Sequence, residues 1–382
     1  MTTDTDCAEP PLLKVRGPGD LAQAVPYLLG FHPSRSLVLV GLERKRVTVT
    51  ARIDLDDVEQ VAGRAVLLPR TIAAMKHGGA ESFVAIVYSD GATTGGDDGV
   101  VPPFGADGAL IHSELAQDIH AAVGRAGAEV DEVALICGGR MWSYECDDPD
   151  CCPPEGRPLE NGSVIAAEAA FAGMVALPDR ESLVELFAPT DERDCPEIGA
   201  AIRDAERAAV ATIVAGTTMR ANRSDVRALF AAARAWDEPG AEPVVEPAWA
   251  ARFAVALRRF EVRDPVWLGI DDDRIDGRAL WRRLATILPA PYDAAPLFLF
   301  AWASYRAGNG ALANIAALRA LDSDPEYSAA DLVLAAISNA VDPRRMPRLR
   351  GSTRASRAAA GRPPVRAKPR AARRGAAGRR RR

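Results

Sequence analysis

Three cysteines in one short segment offer the most unusual chemistry in the sequence. Cys146 is followed by four residues and then by the adjacent pair Cys151 and Cys152. Thiolates at this spacing can ligate zinc, but three ligands leave a tetrahedral site one short. The residues able to supply the fourth ligand are Cys137, Cys195, Asp148 and Asp150. Two other interpretations stay open, a redox-active thiol pair and small apolar side chains packed in a proline-bounded turn.

A second set of polar residues lies at the ends of predicted strands. Asp54, Asp90 and Arg140 each follow closely on one of three strands that we expect to run in the same direction. The carboxyl ends of such strands share one edge of the sheet, where open α/β sheets bind ligands. Arg35 precedes a strand of opposite direction and should lie at the same edge. Carboxylates there could hold a divalent cation and arginines could clamp an anion, although strand ends are often polar for structural reasons alone.

No recognised catalytic motif accompanies these residues. We find neither an order of Ser, His and Asp typical of a hydrolase nor a nucleophile elbow. The glycine-rich stretch 91–108 does not match a phosphate-binding pattern, and it favours a surface loop or lid. Catalytic residues therefore cannot be named from the sequence, and an enzymatic role is left open.

The candidate sites depend on an N-terminal α/β arrangement. Its predicted strands alternate or run continuously apolar, and its predicted helices have apolar residues at helical spacing. The elements are a helix over 20–29, hairpin strands over 36–42 and 47–53, a helix over 58–75 broken or kinked at Pro69, a strand over 83–88, a helix over 112–124 and a strand over 130–137. Right-handed crossovers then predict a small mixed sheet, built from a hairpin plus βαβ units.

The remainder of the chain is predicted to be helical and then disordered. Helical periodicity marks nine segments, which are 164–175, 180–187, 197–217, 224–236, 247–260, 277–288, 294–306, 311–321 and 328–340. We therefore expect five regions: a flexible N-terminus over 1–18, an α/β domain over 19–145, a Cys/Pro-rich connection over 146–162, an all-α domain over 163–342 and a disordered Arg-rich tail over 343–382.

Charge is distributed very unevenly along the chain. Residues 343–382 hold 16 Lys or Arg and no Asp or Glu, which leaves 31 basic and 52 acidic residues in positions 1–342. Such a tail favours binding to nucleic acid or another polyanion through counterion release. Arg outnumbers Lys 43 to 4 throughout, so a GC-rich genome with a tail that has no partner is the competing explanation.

Targeting signals are not apparent in the sequence. The N-terminus shows no signal-peptide pattern, and no uninterrupted run of 18 apolar residues occurs. We therefore expect a cytoplasmic location with no membrane association. In that compartment the six cysteines should be reduced or bound to metal rather than joined in disulfides.

Four groups of residues together resemble an actinobacterial family catalogued as domain of unknown function 4192. These groups are Pro26–Pro33 with Ser36–Val38, Ala51–Asp54, Trp142–Tyr144 with Cys146, Cys151, Cys152 and Pro153, and Gly308–Ala313 with Asp324 and Pro325. They span about residues 20–342, and the Arg-rich tail lies outside them. The resemblance implies kinship but supplies no activity, cofactor or catalytic residue.

The leading functional hypothesis is a non-enzymatic binding or regulatory module with a basic tail. One alternative is an enzyme acting on a small molecule or nucleotide at the sheet edge, through Arg35, Asp54, Asp90 and Arg140. Another is a thiolate-metal or redox-sensing protein, with zinc as the candidate metal.

Overall fold

A computed structural model describes residues 17–90, 103–159, 164–171, 174–238 and 245–349. The described residues form a mixed six-stranded sheet with helices, followed by a helical region. The predicted fold class is therefore confirmed. Within the described residues, no helix combines the length and the apolar character needed to cross a membrane.

The sheet sets the frame for both candidate sites. Its strands are β1 (Ser36–Glu43), β2 (Arg46–Asp54), β3 (Ser82–Ser89), β4 (Glu129–Cys137), β5 (Arg140–Ser143) and β6 (Arg157–Pro158), in the order β2-β1-β3-β4-β5-β6. β1 pairs antiparallel with both β2 and β3, whereas β3 and β4 are parallel. β2, β3 and β4 consequently point in the same direction, as the crossover argument predicts. β5 turns back from β4 through Gly138 and Gly139, both at positive φ.

Four helices belong to the sheet region: α1 (Pro18–Leu29), α2 (Leu55–Glu59), α3 (Val61–His77) and α4 (Ser113–Arg125). One face of the sheet packs against α2, α3 and α4, and Leu37, Phe83 and Ile119 are fully buried there. The predicted helix over 58–75 is not broken at Pro69, which lies inside α3; the chain breaks instead at the extended residue Gln60. Burial of the neighbouring Leu68 offsets the cost of an internal proline.

The helical region holds α5 (Val164–Phe171), α6 (Arg180–Glu185), α7 (Pro196–Val214), α8 (Thr218–Trp236), α9 (Pro247–Leu257), α10 (Phe260–Asp271), α11 (Arg278–Ile287), α12 (Ala294–Arg306), α13 (Gly310–Ser323) and α14 (Ser328–Ser338). α10, which contains Pro265, is not among the predicted helices. Val262, Val266 and Ile270 nevertheless recur at helical spacing and are buried. α12 is the most buried of these helices, since twelve of its thirteen residues are buried.

The first part of the predicted basic tail contacts the folded chain. Arg306 donates hydrogen bonds to the carbonyls of Pro343 and Met346. Arg345 forms an ion pair with Glu43. For 343–348 the structure therefore differs from the predicted disorder, because Arg345 pairs with an acidic side chain and the carbonyls of this segment accept hydrogen bonds from Arg306. Residues 350–382, the first 16 residues and the stretch 91–102 lie outside the described residues, so the predictions made for them stay predictions.

Candidate metal centre and sheet edge

The cysteine segment begins at the end of β5, where Ser143 fixes the backbone. The Ser143 hydroxyl oxygen accepts hydrogen bonds from the amides of Glu145 (3.0 Å) and Cys146 (3.2 Å). The same hydroxyl donates to Glu132 Oε1 at 2.5 Å. Because Glu132 lies on the neighbouring strand β4, the position of Cys146 is tied to the sheet.

A turn centred on Asp148 then brings the chain back toward Cys146. The Asp148 carbonyl accepts hydrogen bonds from the amides of Cys151 (3.1 Å) and Cys152 (2.6 Å). As a result, the Sγ atoms of Cys146, Cys151 and Cys152 all lie within 4.8 Å of one another. Two thiolates bound to one tetrahedral zinc ion at about 2.3 Å each are about 3.8 Å apart. The three sulfur atoms therefore lie close enough together to share one metal ion.

The cluster has three protein ligands. Within the described part of the chain, no further His, Cys, Asp or Glu ligand atom joins this group. Cys137 and Cys195 lie outside it, and so do the carboxylates of Asp148 and Asp150, so none of the four candidates completes the set. A zinc ion held by three side chains keeps its fourth position open to water or another ligand.

The thiols of Cys146 and Cys152 differ in acidity, in part because the two side chains hydrogen-bond to each other. The Cys152 thiol and the Asp148 backbone hydrogen-bond to the Cys146 sulfur and lower the pKa of Cys146. Burial, followed by its hydrogen bonds with the other two cysteines, raises the pKa of Cys152 to about 12. Of these two thiols, Cys146 more readily becomes a thiolate, as metal binding and nucleophilic chemistry require.

The return segment that follows the cysteines is clamped onto β5. Trp142 Nε1 donates to the Pro154 carbonyl at 2.9 Å. Arg140 donates to the carbonyls of Glu155 (2.6 Å) and Gly156 (2.8 Å). Gly156 has a φ of +75°, and a Cβ atom at this position would lie 2.5 Å from the indole of Trp142. The segment is therefore held at both ends, by Ser143 before the cysteines and by this clamp after them.

The four residues predicted to form a ligand site share one end of the sheet but not one pocket. Strand pairing places Ser36 opposite Asp54, and Cys137 opposite Arg140, at this end. β2 and β5 are four strands apart in the sheet order, so Asp54 and Arg140 are separated by about 19 Å at roughly 4.8 Å per step. Arg140 points its guanidinium at the return segment that follows the cysteines. Asp54 forms an ion pair with Arg52 at 2.6 Å.

This end of the sheet is open rather than enclosed. Asp54 and Asp90 are both exposed. A cavity of about 940 Å³ lies instead within the helical region, between α7, α8 and α9. Asp225 and Arg252 are among its lining residues, together with many alanines. None of the four edge residues lines this cavity.

Residues that the sequence analysis did not select surround Arg35. Arg35 pairs with Asp56, which raises the arginine pKa through a hydrogen bond and its charge, and Arg35 Nη2 lies 3.9 Å from Glu59 Oε2. His112 Nδ1 lies 3.6 Å from Glu59 Oε1, and its Nε2 lies 3.2 Å from Ser89 Oγ. Burial lowers the pKa of His112. These residues are far apart in sequence, so no local pattern could have identified them.

Together, the sheet with its thiol cluster and the helices that follow define an α/β plus all-α protein with a candidate three-cysteine metal centre. The chain belongs to the family described as Domain of unknown function (DUF4192), which matches residues 18–344. The match begins in α1 and includes the three cysteines, whereas residues 350–382 lie outside it. Comparison with curated proteins and with solved structures found no match.

Proposed function

We propose that this chain is a metal-binding protein in which Cys146, Cys151 and Cys152 hold one zinc ion as thiolates. The convergence of their sulfur atoms within 4.8 Å carries the proposal. Thiolates are soft ligands that favour zinc over magnesium or calcium. An open fourth position suits a binding or regulatory module, because a water molecule, a small ligand or a partner side chain can occupy it.

The exposure of the cluster favours metal over the two alternative interpretations. Cysteines that serve only as small apolar packing groups are usually buried, whereas Cys151 is exposed and the other two are partly exposed. A redox pair needs two sulfur atoms, and three converge in this turn. Metal ligation is the role that uses all three.

Zinc titration of the full-length, reduced, chelator-washed chain tests this function. We expect one zinc ion per chain to be taken from a chromophoric chelator. Cys151→Ser should weaken this binding strongly, because it removes one of three ligands. Cys195→Ser is the matched control, since Cys195 lies outside the cluster, and it should bind zinc like the wild type. Failure of the wild type to compete for zinc, or equal binding by Cys151→Ser, would refute the proposal.

A second function, binding of nucleic acid or another polyanion, is favoured by the charge of residues 350–382. This stretch holds 13 Lys or Arg and no acidic residue. The other three arginines of the basic tail are already paired, Arg344 with Asp342, Arg345 with Glu43 and Arg348 with Asp273. We propose that the stretch after Leu349 carries the affinity. Comparison of DNA binding by the full chain and by a chain ending at Leu349 tests this, and equal affinities would contradict it.

A further inference from the structure

Three side chains at the carboxyl end of β3 are arranged like a nucleophile, a base and a carboxylate that orients the base. His112 stands in the middle, with Nε2 3.2 Å from Ser89 Oγ and Nδ1 3.6 Å from Glu59 Oε1. The two ring nitrogens thus face the hydroxyl and the carboxylate separately. Such a relay, with a base that contacts both a hydroxyl and an acid, is the arrangement that activates serine for acyl transfer.

Each member of the relay lies at the end of a rigid element. Ser89 ends β3, which is paired on both sides within the sheet. Glu59 ends α2, and His112 immediately precedes α4. The convergence of three element ends at the carboxyl edge of a parallel strand pair matches the usual location of ligand sites in open α/β sheets.

The backbone of His112 adopts a conformation that costs free energy. Its φ of 59° and ψ of 20° are left-handed, which is unfavourable by about 1–2 kcal/mol for a residue with a side chain. The surrounding structure holds it there, since Tyr144 Oη donates to the Ile111 carbonyl at 2.5 Å. Backbone strain of this kind is concentrated at functional sites.

We propose that Ser89, His112 and Glu59 form an esterase-type acyl-transfer site, with Ser89 as nucleophile, His112 as general base and Glu59 as the carboxylate that orients His112. The imidazole is mostly buried, with 15% of the His112 side chain exposed. Burial keeps it largely neutral at pH 7, as a base must be. Arg35 Nη2 lies 3.9 Å from Oε2, the second carboxylate oxygen of Glu59. This site shares no residue with the zinc cluster.

The reaction follows from these positions. Ser89 Oγ attacks the carbonyl carbon of an ester while its proton passes to His112 Nε2. The bond between the carbonyl carbon and the leaving oxygen then breaks, and the departing alcohol takes the proton from His112. Water next attacks the acyl-serine and gives a proton to His112, which returns it to Ser89 as the carboxylic acid leaves. The amides that open α4 directly after His112 have no intrahelical acceptor, and they are the donors nearest in the chain for the oxyanion.

Local charge narrows the substrate class to neutral or cationic esters. Three carboxylates, those of Asp56, Glu59 and Asp90, lie near Arg35, and their charges all act on its guanidinium. The net negative charge repels anionic substrates. A small uncharged or positively charged carboxylic ester therefore fits best.

Labelling of the full-length protein with an uncharged alkyl fluorophosphonate tests the proposal. We expect covalent modification at Ser89, located by mass spectrometry of proteolytic peptides. His112→Asn should slow the modification by at least about 100-fold, because it removes the general base, and asparagine tolerates the left-handed backbone. Ser338→Ala is the matched control and should label at the wild-type rate, since Ser338 is an exposed serine at the end of α14 and has no part in the relay.

Two results would overturn the proposal. The first is an unmodified Ser89 in the wild-type chain. This result does not depend on whether any variant folds. The second is a His112→Asn variant that labels as fast as the wild type, since Ser89 would then react without the base. Hydrolysis of p-nitrophenyl acetate gives an independent readout. Ser338→Ala should hydrolyse this ester like the wild type, whereas Ser89→Ala, which also lacks one serine, should lose the activity.

Discussion

Replacement of Gly156 by alanine should distort the segment that holds the thiol cluster. Gly156 has a φ of +75°, and an added Cβ atom would lie 2.5, 2.6 and 2.9 Å from three atoms of the Trp142 indole. The left-handed backbone costs alanine about 1–2 kcal/mol. Trp142 is 4% exposed and bonded to Pro154, so it cannot move away, and overpacking adds about 1–3 kcal/mol. The expected loss in free energy of unfolding is about 2–5 kcal/mol.

Gly127→Ala separates the backbone cost from the contact with Trp142. Gly127 has a φ of +67°, and nothing lies within 4 Å of an added Cβ atom. This variant should lose only about 1–2 kcal/mol. Urea unfolding of both variants in reduced, metal-free buffer measures the difference, and zinc affinity should fall only in Gly156→Ala. Equal losses in the two variants would refute the idea that Trp142 locks the cysteine segment onto β5.

Three further predictions concern the remainder of the chain. Asp225→Ala should lower the free energy of unfolding by about 3 kcal/mol, because the buried carboxylate pairs with Arg252 and Arg259, whereas the exposed Asp204→Ala should change it by less than about 0.5 kcal/mol. Burial lowers the pKa of His112 against the opposing effect of Glu59. Below the ordinary histidine pKa of about 6.5, His112 therefore binds more protons in the unfolded chain than in the folded chain. The contribution of His112 to the free energy of unfolding is therefore fully present above that pH and is lost as the pH falls toward the folded-state pKa. Urea unfolding at a series of pH values should show this loss in the wild type but not in His112→Asn. If about ten charges of residues 350–382 engage DNA, log affinity should fall with log salt at a slope near −9, and a flat salt series would contradict it.

The elements that carry strong periodicity could be predicted from the sequence. Continuous apolar residues over 36–42 and 83–88 predict buried strands, and right-handed crossovers give their directions. The structure contains both strands and places the residues that follow β2, β3 and β4 at one end of the sheet. Local signals and a handedness rule were sufficient for this much of the fold.

Elements with weak local signals could not be predicted. α10 contains Pro265, which interrupts a helical pattern, and burial of Val262 and Val266 decides in its favour. β5 has four residues and depends on its pairing with β4. In both cases long-range packing stabilises an element that local propensity does not.

The candidate sites, like the fold, could be predicted from the sequence only where the signal is local. The short spacing of Cys146, Cys151 and Cys152 makes a shared metal site a candidate from the sequence alone, and their sulfur atoms do converge. The direction in which Arg140 points depends on carbonyls about 15 residues further along the chain. Glu59, Ser89 and His112 meet only because α2, β3 and α4 end together. Side-chain pairing across such separations is set by tertiary structure, not by local sequence.

X-ray absorption at the zinc edge of the zinc-loaded, full-length protein tests the metal centre most directly. If Cys146, Cys151 and Cys152 hold the ion, the spectrum should show three sulfur neighbours at about 2.3 Å and one lighter neighbour. The Cys195→Ser variant should give the same spectrum. A shell of nitrogen and oxygen atoms alone at about 2.0–2.2 Å would contradict the three-thiolate site.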